Sequence, residues 1–321
     1  MDRPPFRFAV QATNAAGGRE WRDTVRRVEE LGYSTLFLAD HYLGPGPAQK
    51  IARTPRQDLA PIAAMAAAAA VTETLRIGCR VFCVDYHVPA VLAKETATLD
   101  LLSDGRLEMG IGAGWSETEY NAMGLTFDRP GRRIARLAEV VAVIKAHWEG
   151  EQLEFAGQIV QVRGYAGRPR TVQSPHPPIM IGGGGPRMLA YAAREADIVS
   201  MSSVQFVARD AAGRDPRTVA RRRIDAVRAA AGERYAQLEI ESSPYFTAIT
   251  DDPEAALADA ASSTGIPAEV LREHPNVMIG SLESIVDSLY SRRESFGVNY
   301  VTVQQSQIES FAPIVDRLHG R

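Results

Sequence analysis

LRIGCRVFCVDYHVPAVLAKETATLDLLSDGRLEMGIGAGW, residues 75–115, holds the unit from which the rest of the chain can be read. Leu75–Val81 is a short run carrying apolar and β-branched residues, the pattern of a strand covered on both faces. Pro89 opens a longer Ala- and Leu-rich stretch to Leu102. Proline is favoured in a first helical turn because its missing N–H has no partner to lose there. Leu107–Gly112 then returns as a second strand, and two strands joined through a helix run parallel.

The same alternation extends in both directions. Further strands are expected at Phe6–Gln11, Thr35–Asp40, Ile179–Gly182, Asp197–Met201, Leu238–Phe246 and Tyr300–Gln304. Helical patterns fall at Glu20–Leu31, with Gly32 as its stop, and at Leu59–Val71, Arg132–Trp148, Met188–Ala196, Pro216–Ala231, Ser281–Phe296 and Phe311–Leu318. Strand followed by helix eight times places the chain in the α/β class as a (β/α)8 TIM barrel. No Gly/Ser linker or charge run divides it, so residues 1–321 are expected to form one domain. Two stretches do not fit the repeat. Leu153–Val162, after the fourth strand and its helix, alternates around Ala156-Gly157 as a hairpin does, and Asp251–Asn276, after the seventh strand, has short helical patterns. Insertions at the C-terminal ends of barrel strands shape active sites, so a substrate lid is expected there.

Composition narrows the function classes. With 45% hydrophobic and 23% charged residues the chain is globular. A net charge of −3 provides no field for nucleic acid or an anionic membrane. The basic cluster from Arg214 to Arg228 is read as a solvated helix face. Cys79 and Cys83 are the only cysteines, so neither a disulfide framework nor a four-thiolate zinc site can be built. No apolar run reaches bilayer length, and the first residues lack a signal-peptide core, so a cytoplasmic protein is expected.

Chemistry is sought at the strand ends that reach a common mouth. The second strand ends in Asp40-His41, a carboxylate beside an imidazole that can exchange a proton near neutral pH. The bland alternative makes Asp40 a cap and His41 a surface residue. The fourth strand carries Gly110, Gly112 and Gly114, an alternation that could let a flat ring approach the backbone. The fifth leads into Gly182-Gly183-Gly184-Gly185-Pro186-Arg187 and a helix, whose free N–H groups suit a phosphate. The six histidines are scattered, no H-E-x-x-H occurs and no G-x-S-x-G elbow occurs, so neither a metal site nor a serine hydrolase is expected.

The run His87–Trp115, continued through Glu119-Tyr120, Gly124 and Pro130-Gly131-Arg132-Arg133, closely resembles the central signature of the bacterial-luciferase-like monooxygenase superfamily, in particular its branch using the deazaflavin coenzyme F420. The resemblance implies a ring held at the barrel opening, near Gly112, Ala113, Gly114, Trp115 and Tyr120. It implies that Asp40 contacts the ring or ribityl region, that His41 is the acid/base, and that a cis peptide at Arg80-Val81 buttresses the ring. The phosphate-bearing tail would pass to Gly182, Gly183, Gly184, Gly185 and Arg187. Where the family's sugar-phosphate dehydrogenases place a glutamate, this chain has Trp115. Glu117 and Glu119 are the nearest acids.

The function expected is therefore hydride transfer between the deazaflavin C5 and a small organic substrate. The alternatives are a two-component monooxygenase using reduced FMN, or a non-catalytic flavin-binding barrel. Family resemblance, with Ala-rich helices such as Leu59–Val71 and Leu92–Leu102, implies a homodimer.

Overall fold

The structure, a computed structural model, describes residues 4–52, 56–150, 152–201, 204 and 206–321. Its strands are β1 (Arg7–Ala12), β2 (Thr35–Leu38), β3 (Arg76–Cys83), β4 (Leu107–Gly112), β5 (Gln152–Ala156), β6 (Gln161–Ala166), β7 (Ile179–Gly182), β8 (Ile198–Ser200), β9 (Glu239–Ser242), β10 (Phe246–Ile249), β11 (Val277–Gly280) and β12 (Val298–Gln304). Eight of them close a barrel in the order β1-β12-β9-β8-β7-β4-β3-β2. The helices are α1 (Gly18–Glu30), α2 (Pro47–Ala52), α3 (Pro61–Ala69), α4 (Pro89–Leu102), α5 (Glu117–Ala122), α6 (Pro130–Glu149), α7 (Pro186–Glu195), α8 (Pro216–Ala231), α9 (Pro253–Thr264), α10 (Ala268–Arg272), α11 (Leu282–Phe296) and α12 (Ile308–Leu318). Every expected barrel strand and every expected helix has its counterpart.

Two boundaries differ for a physical reason. The run read as one strand from Leu238 to Phe246 is two: β9 stops at Ser242, and Phe246 begins β10, which pairs in parallel with β11 in a separate two-stranded sheet. Pro244 has no N–H for a ladder and divides them. The expected hairpin is present as antiparallel β5 and β6. Glu139 of α6 holds its turn, accepting from the N–H groups of Gln158, Ile159 and Val160 at 2.9, 2.9 and 2.7 Å. The helical patterns of the second insertion are α9 and α10, packed through Leu257, Ala260, Ile266 and Leu271.

The chain divides into two compact units. One comprises Gln11–Glu29 and Thr35–Met180; the other comprises the residues up to Val10, Glu30–Ser34 and Ile181–Arg321. In the first, β3 is the irregular element. Its register against β4 slips between Cys79 and Phe82, and a cis peptide joins Arg80 to Val81 there. Beside it the buried carboxylate of Glu108 meets Arg76 at 2.8 Å, and the Thr35 hydroxyl donates to it at 3.4 Å. One step along, Phe37 fills the space that a side chain at Gly78 would need. In the second unit Phe6 and Phe8 stack at 6.2 Å, and Phe8 packs on Phe311 of α12.

Candidate active site

Two carboxylates, neither at the surface, organise the end of β2. Asp40 is 3% exposed; its Oδ2 accepts from the Cys83 N–H at 2.8 Å and lies 2.9 Å from His87 Nε2. Its Oδ1 is buried with no hydrogen-bond partner. The Tyr42 phenol beside it is held protonated, first by burial and then by the Asp40 charge.

His41 and Asp40 are neighbours in sequence but do not pair. The partner of His41 is Glu119 on α5, whose Oε2 lies 2.8 Å from Nδ1. The other oxygen of Glu119 accepts from the Tyr42 N–H at 2.7 Å. Burial pushes the pKa of Glu119 up, but bonds from His41, the Tyr42 N–H and the Tyr86 hydroxyl outweigh it, leaving it below the usual glutamate value. Because ionised Glu119 can only accept, Nδ1 must carry the hydrogen, and Nε2 is the nitrogen left for chemistry. The Trp115 ring stands edge-on to this imidazole at 5.9 Å and is itself 61% exposed.

The segment after β4 is fixed from behind. Gly114 has φ +68°, and a Cβ there would sit 2.0 Å from Tyr120 Oη and 2.8 Å from Cys83 Sγ. The Tyr120 hydroxyl donates to Asp85 at 2.6 Å and contacts Cys83 Sγ at 3.0 Å. Arg133 donates to the carbonyls of Ala113 and Gly114, and its guanidinium lies 4.0 Å over the Phe127 ring. Arg136 ties Asp85 to Asp128.

Several expected roles change with this geometry. Tyr120 is fully buried and its hydroxyl donates to Asp85, so here it braces the loop after β4. The alternating glycines do not leave an open face for a ring. A Cβ at Gly110 would stand 2.0 Å from the Cys79 carbonyl oxygen, and one at Gly112 2.9 Å from Val81, so both are required by the slipped β3. Ala113 is 7% exposed, and Val81 lies over Gly110 and Gly112. Arg80 donates to Gln11 Oε1 at 2.7 Å. In the other unit, Gly182 closes β7, Gly183 and Gly184 follow, and Gly185 is the N-cap of α7 with Pro186 next to it. Arg187 points from that helix into solvent. The sequence reading missed His87, Asp85, Arg133 and Arg136 as site-building residues, and it named Glu119 only with Glu117, as an acid that could stand in for the family's glutamate, not as the partner of His41. The signal for Glu119 was an acid in a first helical turn, beside a Tyr and within the quoted motif.

Among the described residues no group of three His, Cys, Asp or Glu is placed to hold a metal ion, and no helix is long and apolar enough to cross a membrane.

Comparison with known proteins agrees with the architecture. An uncharacterized protein of Mycobacterium tuberculosis is 32% identical over 183 residues, 54% of this chain and 64% of the relative. An F420-dependent glucose-6-phosphate dehydrogenase of Amycolatopsis mediterranei is 29% identical over 191 residues, 56% of this chain and 52% of that enzyme. The chain thus matches between about half and two thirds of these relatives' lengths. Among solved structures, the coenzyme F420-dependent tetrahydromethanopterin reductase of Methanopyrus kandleri superposes with TM-score 0.74 at 18% identity, covering 96% of this chain and 97% of the other. A monooxygenase of Streptomyces bottropensis does so with TM-score 0.73 at 21% identity, covering 96% and 98%. At such identities the likeness is one of fold. The luciferase-like monooxygenase family itself matches residues 5–295. A barrel of this strand order and a match spanning nearly the whole chain lead to one assignment: the chain belongs to the luciferase-like monooxygenase family.

Proposed function

We propose that the protein is an oxidoreductase that binds the deazaflavin coenzyme F420 and serves hydride transfer between its C5 and a small organic substrate. The observation that carries this reading is the His41–Glu119 pair, which fixes one tautomer and leaves Nε2 available at the strand ends. Relatives named as F420-dependent enzymes support it. Bound deazaflavin would supply the hydride chemistry. His41 Nε2 takes, or in the reverse direction gives, the proton that accompanies the hydride. Glu119 stabilises the imidazolium formed and stops the ring from turning. Asp40 fits the coenzyme as well: its buried, unpartnered Oδ1 suits an N–H or O–H donor of the ring or ribityl chain. Arg80, Val81 and Gly112–Trp115 form the surroundings of that ring in this reading, and the glycine loop with Arg187 is its phosphate region. The substrate is a small molecule, and the protein works as a homodimer.

A second reading, a monooxygenase using reduced FMN, is supported by the matching family, whose description is luciferase-like monooxygenase. A fluorescence titration of the purified protein separates the two. Micromolar or tighter binding of the deazaflavin, with FMN weak in both redox states, supports the first reading. Preference for reduced FMN replaces it with the second.

A further inference from the structure

Two exposed aromatic side chains accompany the His41–Glu119 pair. Trp115 is 61% exposed, its ring nearly perpendicular to the His41 imidazole and 5.9 Å from it. Tyr42, next in the chain to His41, is 42% exposed and packs edge-on against Tyr86 at 5.9 Å. Both stand on fixed backbone. The carboxylate that holds His41 also accepts from the Tyr42 N–H at 2.7 Å, and Arg133 ties down the carbonyls of Ala113 and Gly114 just before Trp115. A single exposed aromatic on a protein surface carries no message. Here two meet at one imidazole–carboxylate pair, and an indole left in water gains burial of a large apolar face when a flat apolar group settles on it.

The charges around them do not suit an anion. Glu119 is held below the usual glutamate value, so it is ionised at neutral pH behind the imidazole, and the Tyr42 phenol stays neutral. The guanidinium groups of this region have other partners: Arg133 donates to the carbonyls of Ala113, Gly114 and Asp128, and Arg136 bridges Asp85 and Asp128. A phosphate or carboxylate brought to Trp115 would lose hydration next to an ionised acid, with both guanidinium groups turned elsewhere.

We propose that Trp115, with Tyr42, selects the substrate: an uncharged alcohol or carbonyl compound that carries an aromatic ring beside the reacting carbon. This role rests on the oxidoreductase reading above, in which His41 Nε2 exchanges a proton with that substrate's oxygen. The substrate ring lies against the indole. Paired aromatic rings gain more than the area they bury, so a ring is preferred to an aliphatic chain of the same size. An indole has two side-chain torsions to freeze and its backbone is already fixed, so little ordering cost offsets the contact.

Ligand-observed NMR titrations of the full chain with acetophenone and, separately, with glucose 6-phosphate, each run with and without oxidised coenzyme F420, read this selection by binding alone. Wild type binds acetophenone, and binds glucose 6-phosphate about ten-fold more weakly or not at all. Trp115→Ala weakens acetophenone about ten-fold at unchanged melting temperature, Tyr42→Ala does so about three-fold, and Trp115→Phe stays near wild type. Equal acetophenone affinity in wild type and Trp115→Ala overturns the proposal, as does tighter binding of glucose 6-phosphate or no binding of the ketone under either condition. Should Trp115→Ala fail to fold, Trp115→Leu decides, because it keeps apolar bulk and loses the ring. Affinity equal to wild type then overturns recognition by the indole, and a loss of about three-fold or more supports it. Coenzyme binding, followed by its own fluorescence, is a separate readout. A ketone that binds through Trp115 in a protein that takes no coenzyme F420 leaves the aromatic site standing and removes the deazaflavin; coenzyme that binds while the ketone ignores Trp115 does the reverse.

Discussion

One carboxylate, Glu119, does two jobs at once, holding His41 by Nδ1 and the following residue by its N–H. If His41 serves as acid/base, His41→Ala lowers kcat by about a hundred- to ten-thousand-fold while coenzyme affinity stays near wild type. Unchanged turnover in steady-state assays removes the imidazole from the chemistry. Glu119 also sets a pH dependence whose sign is fixed. Its folded pKa lies below the ordinary glutamate value, so its stabilising contribution is complete above that ordinary value and is lost as pH falls through the lower folded one. Glu119→Gln accordingly melts below wild type at pH 7, and the two melting temperatures converge as pH falls below the ordinary glutamate value. A constant gap across that range refutes the assignment. At Gly114 a side chain meets Tyr120 Oη at 2.0 Å with backbone φ of +68°, so Gly114→Ala costs about 2–4 kcal/mol in urea denaturation. At this scale the sequence was half legible. Asp40 and His41 stood out as adjacent polar residues at a strand end, but adjacency pointed to each other as partners, whereas the fold gives His41 a partner from α5. Nothing local in the sequence reports a contact made across β2, β3 and β4.

Elements were easier to read than contacts. Parallel strands covered on both faces write continuous apolar runs, which is why Leu107–Gly112 and Ile179–Gly182 appear in the structure with the bounds expected of them. β10 and β11 were hidden because β10 is only half-buried and merges in sequence with β9 across Pro244. The β5–β6 hairpin was legible from its alternation, but its attachment was not. Besides Glu139, it rests on His147 of α6, which is 1% exposed, stacks on Tyr165 at 5.7 Å and has no side-chain hydrogen bond of normal geometry. Burial lowers the pKa of His147 from 6.5, with the Lys94 charge adding to it and the Pro169 carbonyl opposing. The unfolded chain therefore takes up a proton first as pH falls, and stability declines below about pH 6.5. His147→Phe reduces that decline between pH 6.5 and 5, which melting temperatures across the range will show; an unaltered slope assigns it to other groups.

For the whole molecule, the expectation of one domain predicts a single cooperative transition in scanning calorimetry, and two resolved transitions overturn it. The proposed homodimer would use the face on which Val88, Val91 and Leu102 are 64%, 50% and 66% exposed. Light scattering at twice the mass of the chain supports it, and Val91→Glu/Leu102→Glu then gives monomers. Barrel class was legible because eight repeats of one local pattern leave few ways to close a sheet.

The exposed indole beside His41 gives the molecule a built-in optical gauge. Of its tryptophans, Trp21 is 5% exposed and Trp148 2%, whereas Trp115 is 61% exposed and faces an imidazole at 5.9 Å. A protonated imidazole quenches a neighbouring indole and a neutral one does so far less. Emission at the red edge, where a wet indole dominates, thus follows the charge on His41 without any label. The same signal, subtracted from that of Trp115→Phe, times the arrival of a light-absorbing ring in stopped flow.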